Sequence, residues 1–174
     1  LSIAGSDPSG GAGIQADLKS FSAQGVYGMA VITALTAQNT TGVSQIHKPS
    51  PDFVAEQIRM VAADVRIDAI KIGMIADAVI AKAVAEEVGA LSDVQVILDP
   101  VMIAKGGAPL LAEEAMSCLC EELVPLADIL TPNLPEAAAL LNEKTAQNKD
   151  EMFQQAKKLQ TLGPRAIYLK GGHF

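Results

Sequence analysis

Asp99, Asn133, Glu136 and Lys170 each stand where an apolar run gives way to a loop or a helix start. Asp99 closes the run Val94 to Leu98, and an acid in that place must be hydrated, paired or bound to a metal. Glu136 follows Pro135 at a helix start, where a carboxylate also complements the helix dipole. Asp99, Asn133 and Glu136 together offer oxygen ligands of the kind Mg²⁺ accepts, directly or through water. Lys170 ends a further strand-like run and suits a phosphate as a point charge. Carboxylate-held Mg²⁺ beside a lysine is a phosphoryl-transfer set. Taken singly, each residue is equally at home in a purely structural role. Gln38 has the paired donor and acceptor that complement a heteroaromatic ring edge, or it is a loop amide in water.

The other stretch with chemical character is Ala4 to Asp17, Ala-Gly-Ser-Asp-Pro-Ser-Gly-Gly-Ala-Gly-Ile-Gln-Ala-Asp. A strand-like run, Leu1 to Ala4, enters it, and a helical pattern with Ile14, Leu18 and Phe21 leaves it. Such a turn is expected to present unpaired N–H groups to polar or anionic ligand atoms. It lacks the Lys-Ser/Thr of a P-loop. Gly11 to Ala16 fits the dinucleotide pattern in form, but no acidic residue follows between Thr33 and Thr40, so a nicotinamide dinucleotide is excluded. The alternative is a tight β–α turn whose glycines are structural.

The elements that must position these groups alternate along the chain. Strands are expected at Leu1 to Ala4, Met29 to Leu35, Asp68 to Gly73, Val94 to Leu98, Asp128 to Leu130 and Ala166 to Lys170. Met29 to Leu35 reads as buried on both faces. Thr36 to Thr41 reads as a polar exit loop, and His47 as a surface residue after a β-like run. Helices are expected from about Ala12, after the Ser50-Pro51-Asp52 cap, from Asp77 to about Val88, from about Leu111 to Leu123, from Pro135 to Leu141, and around Met152 to Leu159. Lys105-Gly106-Gly107 continues a loop that reads as mobile. This alternation gives a three-layer α/β/α sandwich around a mainly parallel sheet. Every strand exit then lies on one edge, which collects the glycine turn, Gln38, Met74, Asp99, Asn133, Glu136 and Lys170.

Composition bounds the rest. The 174 residues suit a single domain, 1–174, with a core of small aliphatic side chains: 49% are hydrophobic and only 3% aromatic. A net charge of −7 with no basic run excludes nucleic acid as a partner. No apolar stretch reaches the roughly 18 residues of a membrane span, and no signal peptide is visible, so a cytoplasmic location is expected. Cys118 and Cys120 point to different sides of one expected helix and read as buried, inert thiols. Leu1 begins inside a strand, so a few residues are expected to precede it.

The chain resembles the hydroxymethylpyrimidine and phosphomethylpyrimidine kinases of thiamine biosynthesis, within the ribokinase-like superfamily. The resemblance is carried by residues 4–19, by Thr-Ala-Leu-Thr-Ala-Gln-Asn-Thr (33–40), Lys-Ile-Gly-Met (71–74) and Leu-Asp-Pro-Val-Met (98–102), and by Thr-Pro-Asn-Leu-Pro-Glu-Ala (131–137) and Leu-Lys-Gly-Gly-His (169–173). It implies a ribokinase-like fold and ATP-dependent phosphorylation of 4-amino-5-hydroxymethyl-2-methylpyrimidine and then of its monophosphate. Gly5, Asp17, Thr36, Gln38, Met74 and Val101 would line the pyrimidine pocket. Asp99 and Glu136 would position Mg²⁺, largely through water, and Asn133 and Lys170 would face the ATP phosphates. A homodimer is the family expectation.

In that family a Gly-Thr-Gly-Cys segment at a later helix start forms the anion hole and supplies the group proposed to activate the hydroxyl. This sequence contains no such segment, so the resemblance implies no catalytic residue within it and a domain incomplete at its C-terminus. Core surface left uncovered there would make the chain poorly soluble or partner-dependent. Two other readings stand beside the first. One is a pyridoxal or pyridoxine kinase of the same superfamily. The other is a truncated, non-catalytic relative that binds the pyrimidine.

Overall fold

A computed structural model describes residues 1–75, 77–102 and 113–172. The expected Lys105-Gly106-Gly107 loop, the start of the helix expected from Leu111, and His173 lie outside the described residues. Within them the chain alternates strand and helix: β1 (Ser2–Ser6), α1 (Gly13–Ala23), β2 (Ala30–Gln38), β3 (Val43–His47), α2 (Pro51–Asp64), β4 (Ala69–Ile72) and α3 (Ala78–Gly89). It continues with β5 (Gln95–Leu98), α4 (Glu113–Cys118), β6 (Ile129–Leu130), α5 (Leu134–Leu141), α6 (Lys149–Gln160) and β7 (Ala166–Ile167).

These strands form one seven-stranded sheet in the order β3-β2-β1-β4-β5-β6-β7, parallel throughout except for the antiparallel β2–β3 pair. After β1 the chain moves toward β2 and then returns past β1 to β4, so the strand order reverses beside β1. A crevice forms at such a point, outside the carboxyl ends of the strands.

The two faces of the sheet are covered unequally. Along β4 and β5 burial alternates: Ile70, Ile72, Val96 and Leu98 are buried, whereas Lys71 and Ile97 are only half-buried. The buried set joins Val54 and Ile58 of α2 and Ile80 and Val84 of α3 in one core. Lys71 points to the opposite face, as the period of two requires, and there it reaches Asp17 of α1. Helices therefore flank both faces, α1 on one and α2 and α3 on the other, giving the α/β/α layering. Local sequence sets their ends. The Ser50 hydroxyl accepts from Phe53 N–H ahead of Pro51, and Asp77 caps α3 by accepting from Ile80 N–H.

Three expectations need correction. Thr36 to Thr41 is not all exit loop: β2 runs on through Gln38, and residues 39–42 turn it into the edge strand β3. Asn39 Oδ1 builds that turn by accepting from Thr41 N, Thr41 Oγ1 and Gly42 N. The strand expected over Met29 to Leu35 is not buried on both faces, and Leu35 is 45% exposed. The helix expected to reach Leu123 is α-helical only to Cys118. Leu119–Leu123 form a π-helical turn and Val124–Leu126 a 3₁₀ turn, since Pro125 cannot continue the ladder. His47 is exposed on β3, as expected.

Candidate functional site

The glycine turn is organised by a residue that sequence reasoning passed over. Asp7 is buried, and its carboxylate accepts from Ser9 N (2.9 Å), Ser9 Oγ (2.7 Å), Gly11 N (3.1 Å) and Ala12 N (2.8 Å). The N–H groups expected to await a ligand are thus partly engaged by the chain itself. Burial pushes the Asp7 carboxyl up, but the hydrogen bonds from Ser9, Ala12 and Gly11 outweigh it and hold the group below the usual aspartate range. Gln15 closes the turn from α1: its Oε1 accepts from Asp7 N (2.8 Å) and its Nε2 donates to Ser6 Oγ (2.9 Å). Gly13 has φ +56°, and a Cβ there would overlap the Gly5 carbonyl oxygen. The signal for Asp7 was present in Asp-Pro-Ser-Gly, a turn signature with an acceptor at its first position.

Beside this turn lies a cavity of about 440 Å³. Gly5, Asp17, Thr36, Gln38, Met74 and Val101 all line it, together with Lys71, Asp99 and the β2–β3 turn. Met74 packs over Gly5 so closely that a Cβ at Gly5 would lie 2.6 Å from Met74 Cε. The Thr33 hydroxyl fixes the Met74 backbone by donating to its carbonyl oxygen (2.7 Å). The Thr36 hydroxyl donates to Ser6 O (2.7 Å), with the Gln38 side-chain amide beside it, its Oε1 3.2 Å away. Asp17 is held from two sides, by the Ser2 hydroxyl (2.6 Å) and by Lys71 Nζ (2.9 Å).

The remaining expected site residues gather at the carboxyl ends of β5, β6 and β7. Lys170 Nζ donates to Asp99 Oδ1 at 2.8 Å, and the Thr131 hydroxyl approaches the same oxygen at 3.2 Å. Lys170 is held in place by its own N–H, which donates to Pro132 O (2.8 Å) in an isolated parallel bridge with Asn133. Asn133 and Glu136 form a capping box at the start of α5: Asn133 Oδ1 accepts from Glu136 N (2.8 Å), and Glu136 Oε2 accepts from Asn133 N (2.7 Å). Glu136 is buried, and desolvation pushes its carboxyl above the usual range. The Asn133 N–H and Lys170 oppose that rise, and the Asp99 charge adds to it.

No group of three or more His, Cys, Asp or Glu side chains suited to a metal occurs among the described residues. The side-chain oxygens of Asp99, Thr131 and Glu136 meet near Lys170 as a hard donor set. It fits a cation that keeps several waters rather than one caged by side chains. Cys118 and Cys120 are half-buried rather than buried. The Cys118 thiol donates to Ala78 O at 3.3 Å, and burial pushes both thiols up, so neither is an activated nucleophile. No helix among the described residues is long and apolar enough to cross a membrane.

Comparison with known proteins places the chain in a family. Residues 7–174 match a family model described as phosphomethylpyrimidine kinase. The chain is 54% identical over 174 residues to the hydroxymethylpyrimidine/phosphomethylpyrimidine kinase of Escherichia coli, covering 100% of this chain and 65% of that protein. It is 48% identical to the thiamine biosynthesis bifunctional protein ThiED of Geobacter sulfurreducens, covering 100% of this chain and 35% of that protein. Among solved structures, the phosphomethylpyrimidine kinase of Clostridium difficile 630 superposes with a TM-score of 0.94 at 45% identity, covering 100% of this chain and 75% of that one. The pyridoxal kinase of Staphylococcus aureus in complex with pyridoxal superposes with a TM-score of 0.88 at 32% identity, covering 99% and 62%. The chain thus spans about two thirds of the length of the Escherichia coli kinase, 65%.

Proposed function

The chain belongs to the phosphomethylpyrimidine kinase family, and we propose on that basis that it serves the ATP-dependent phosphorylation of 4-amino-5-hydroxymethyl-2-methylpyrimidine and of its monophosphate. The observation that carries this reading is a cavity of about 440 Å³ that has the Gln38 amide and the Asp99 carboxylate on its lining. Gln38 pairs with the ring edge. Gly5 and Met74 give an apolar contact to the ring, and Asp17, Thr36 and Val101 complete the pocket. Lys170 turns from Asp99 to the ATP phosphates, and the Asn133 amide lies beside it. Mg²⁺, held by Asp99 and Glu136 largely through water, would supply neutralisation of the phosphate charge. The reading extends to a homodimer in the cytoplasm and to a single ribokinase-like domain. Identity of 45% to the phosphomethylpyrimidine kinase structure against 32% to the pyridoxal kinase favours the pyrimidine over pyridoxal.

The test is calorimetric titration of this 174-residue chain with hydroxymethylpyrimidine, followed by an ADP-release assay on the same sample. Binding with ADP release is the expected result for a kinase. Binding without release makes the chain a pyrimidine-binding relative that lacks transfer chemistry. No binding in folded protein overturns the pyrimidine reading, and the same titration with pyridoxal then decides between the two rings.

A further inference from the structure

Lys71 occupies the middle strand of the sheet and lines the cavity. Lysine is a rare occupant of an inner strand, because its ammonium must stay hydrated or find a partner. Here the partner is Asp17: Nζ lies 2.9 Å from one carboxylate oxygen and 3.1 Å from the other. The two side chains are only 25% and 17% exposed. Gly73 leaves room for this reach, since a Cβ there would sit 2.8 Å from Lys71 Nζ. Ser2 adds a third hydrogen bond to Asp17 at 2.6 Å. A carboxylate has about four lone-pair positions, so three protein hydrogen bonds, two from Lys71 and one from Ser2, leave Asp17 able to accept one from a ligand. The other carboxylates lining the cavity are compensated separately, Asp7 by Ser9 and backbone N–H groups and Asp99 by Lys170 and Thr131.

We propose that Lys71 determines the charge specificity of the cavity: it balances and orients Asp17 so that the site takes an uncharged amino-heteroaromatic ring in preference to its cationic form. Balanced in this way, Asp17 accepts a hydrogen bond from an exocyclic amine without presenting net charge. Without Lys71 the same carboxylate is a lone anion in a partly desolvated wall and draws a positively charged ring. Lys71 acts through Asp17 and is a positioning residue, not a catalytic one. The inference rests on the pyrimidine reading given above.

The experiment compares calorimetric affinities for hydroxymethylpyrimidine and for its ring-N-methylated pyrimidinium, a permanent cation. The proteins are wild type, Lys71→Met and Lys71→Arg. Lys71→Arg keeps the charge while changing the shape of the wall, so comparing the ratio of the two affinities across the three proteins separates charge selection from any steric effect of the added methyl. Wild type is expected to prefer the neutral ring. Lys71→Met is expected to shift the ratio toward the cation by on the order of tenfold or more, and Lys71→Arg to keep the wild-type ratio. An unchanged ratio in Lys71→Met, even with both ligands bound more weakly, overturns the proposal and leaves Lys71 a structural residue. If Lys71→Met does not fold, Lys71→Gln, which still donates to Asp17 but carries no charge, is read by the same ratio. Wild type that binds neither ring overturns the pyrimidine reading and this proposal together. Wild type that binds while the variant ratio stays fixed overturns this proposal alone.

Discussion

At the scale of single residues, the Asp99–Lys170 pair joins the two groups with the clearest chemistry. Asp99→Asn removes the charge that holds Lys170 and one oxygen suited to Mg²⁺, so it is expected to weaken Mg-ATP binding and leave pyrimidine binding unchanged. Calorimetry with each ligand checks this, and equal loss of both would make Asp99 structural. Gln38→Ala is expected to lower pyrimidine affinity by about tenfold, the worth of a hydrogen-bonded amide removed from a ligand edge, with Mg-ATP binding intact. Asp7 contributes to the acid limb of stability. Its carboxyl is lowered in the folded chain, so its contribution is fully present above the usual aspartate range and is lost as pH falls through the lowered value. Asp7→Asn is therefore expected to flatten the fall in unfolding free energy at acid pH, measured by urea titration at a series of pH values. Asp7→Ala, which removes every acceptor, is expected to cost about 2 kcal/mol near neutrality.

At the scale of elements, the legible parts of the sequence were those with a strong period and a clear stop. The Ser50-Pro51-Asp52 start of α2, the Gly89 end of α3 and the Pro135 start of α5 all stand where the residue types placed them. The β2–β3 turn was not legible as a hairpin, because Asn39-Thr40-Thr41-Gly42 reads equally as a loop. Only the strand pairing of Leu35 with His47 distinguishes the two. The π-helical turn after Cys118 was only half legible: Pro125 marks where the helix must stop, but not that the last turn before it widens with Leu119 and Leu123 in the core. Gathering of the site residues on one edge was legible from the alternation of strands and helices. What held them there was not: Lys71, Ser2 and Thr131 bind the acids from other strands, and such pairs leave no trace in spacing. The Asn133–Glu136 capping box gives α5 a testable anchor. Asn133→Ala is expected to cost about 1 kcal/mol through loss of the cap, read as a lower urea midpoint with an unchanged slope.

At the scale of the whole molecule, the unequal covering of the sheet should appear in its energetics. Ile72 is fully buried in the core shared with α2 and α3, whereas Ile97 is half-buried on the face of α1. Ile72→Ala is expected to cost about 3 kcal/mol as a core truncation, and Ile97→Ala less than half of that, both read by urea unfolding. Equal costs would mean that the two faces are equally packed.

The bonds that build the two halves of the site also differ in where the chain must close on itself. The cavity is bounded by residues from Ala4 to Val101, and its floor is built on β1, β2 and β4, paired near the middle of the sheet. The Asp99–Lys170 pair needs the sheet to extend through β6 and β7, paired strands of two residues each. Short edge pairings open at lower free energy than central ones. The cavity should thus persist through local openings that release Lys170 from Asp99, so the Lys170 end of the site keeps a separate and faster clock. Hydrogen exchange would register this as early labelling of the Tyr168 and Lys170 amides while those of Lys71 and Gly73 remain protected.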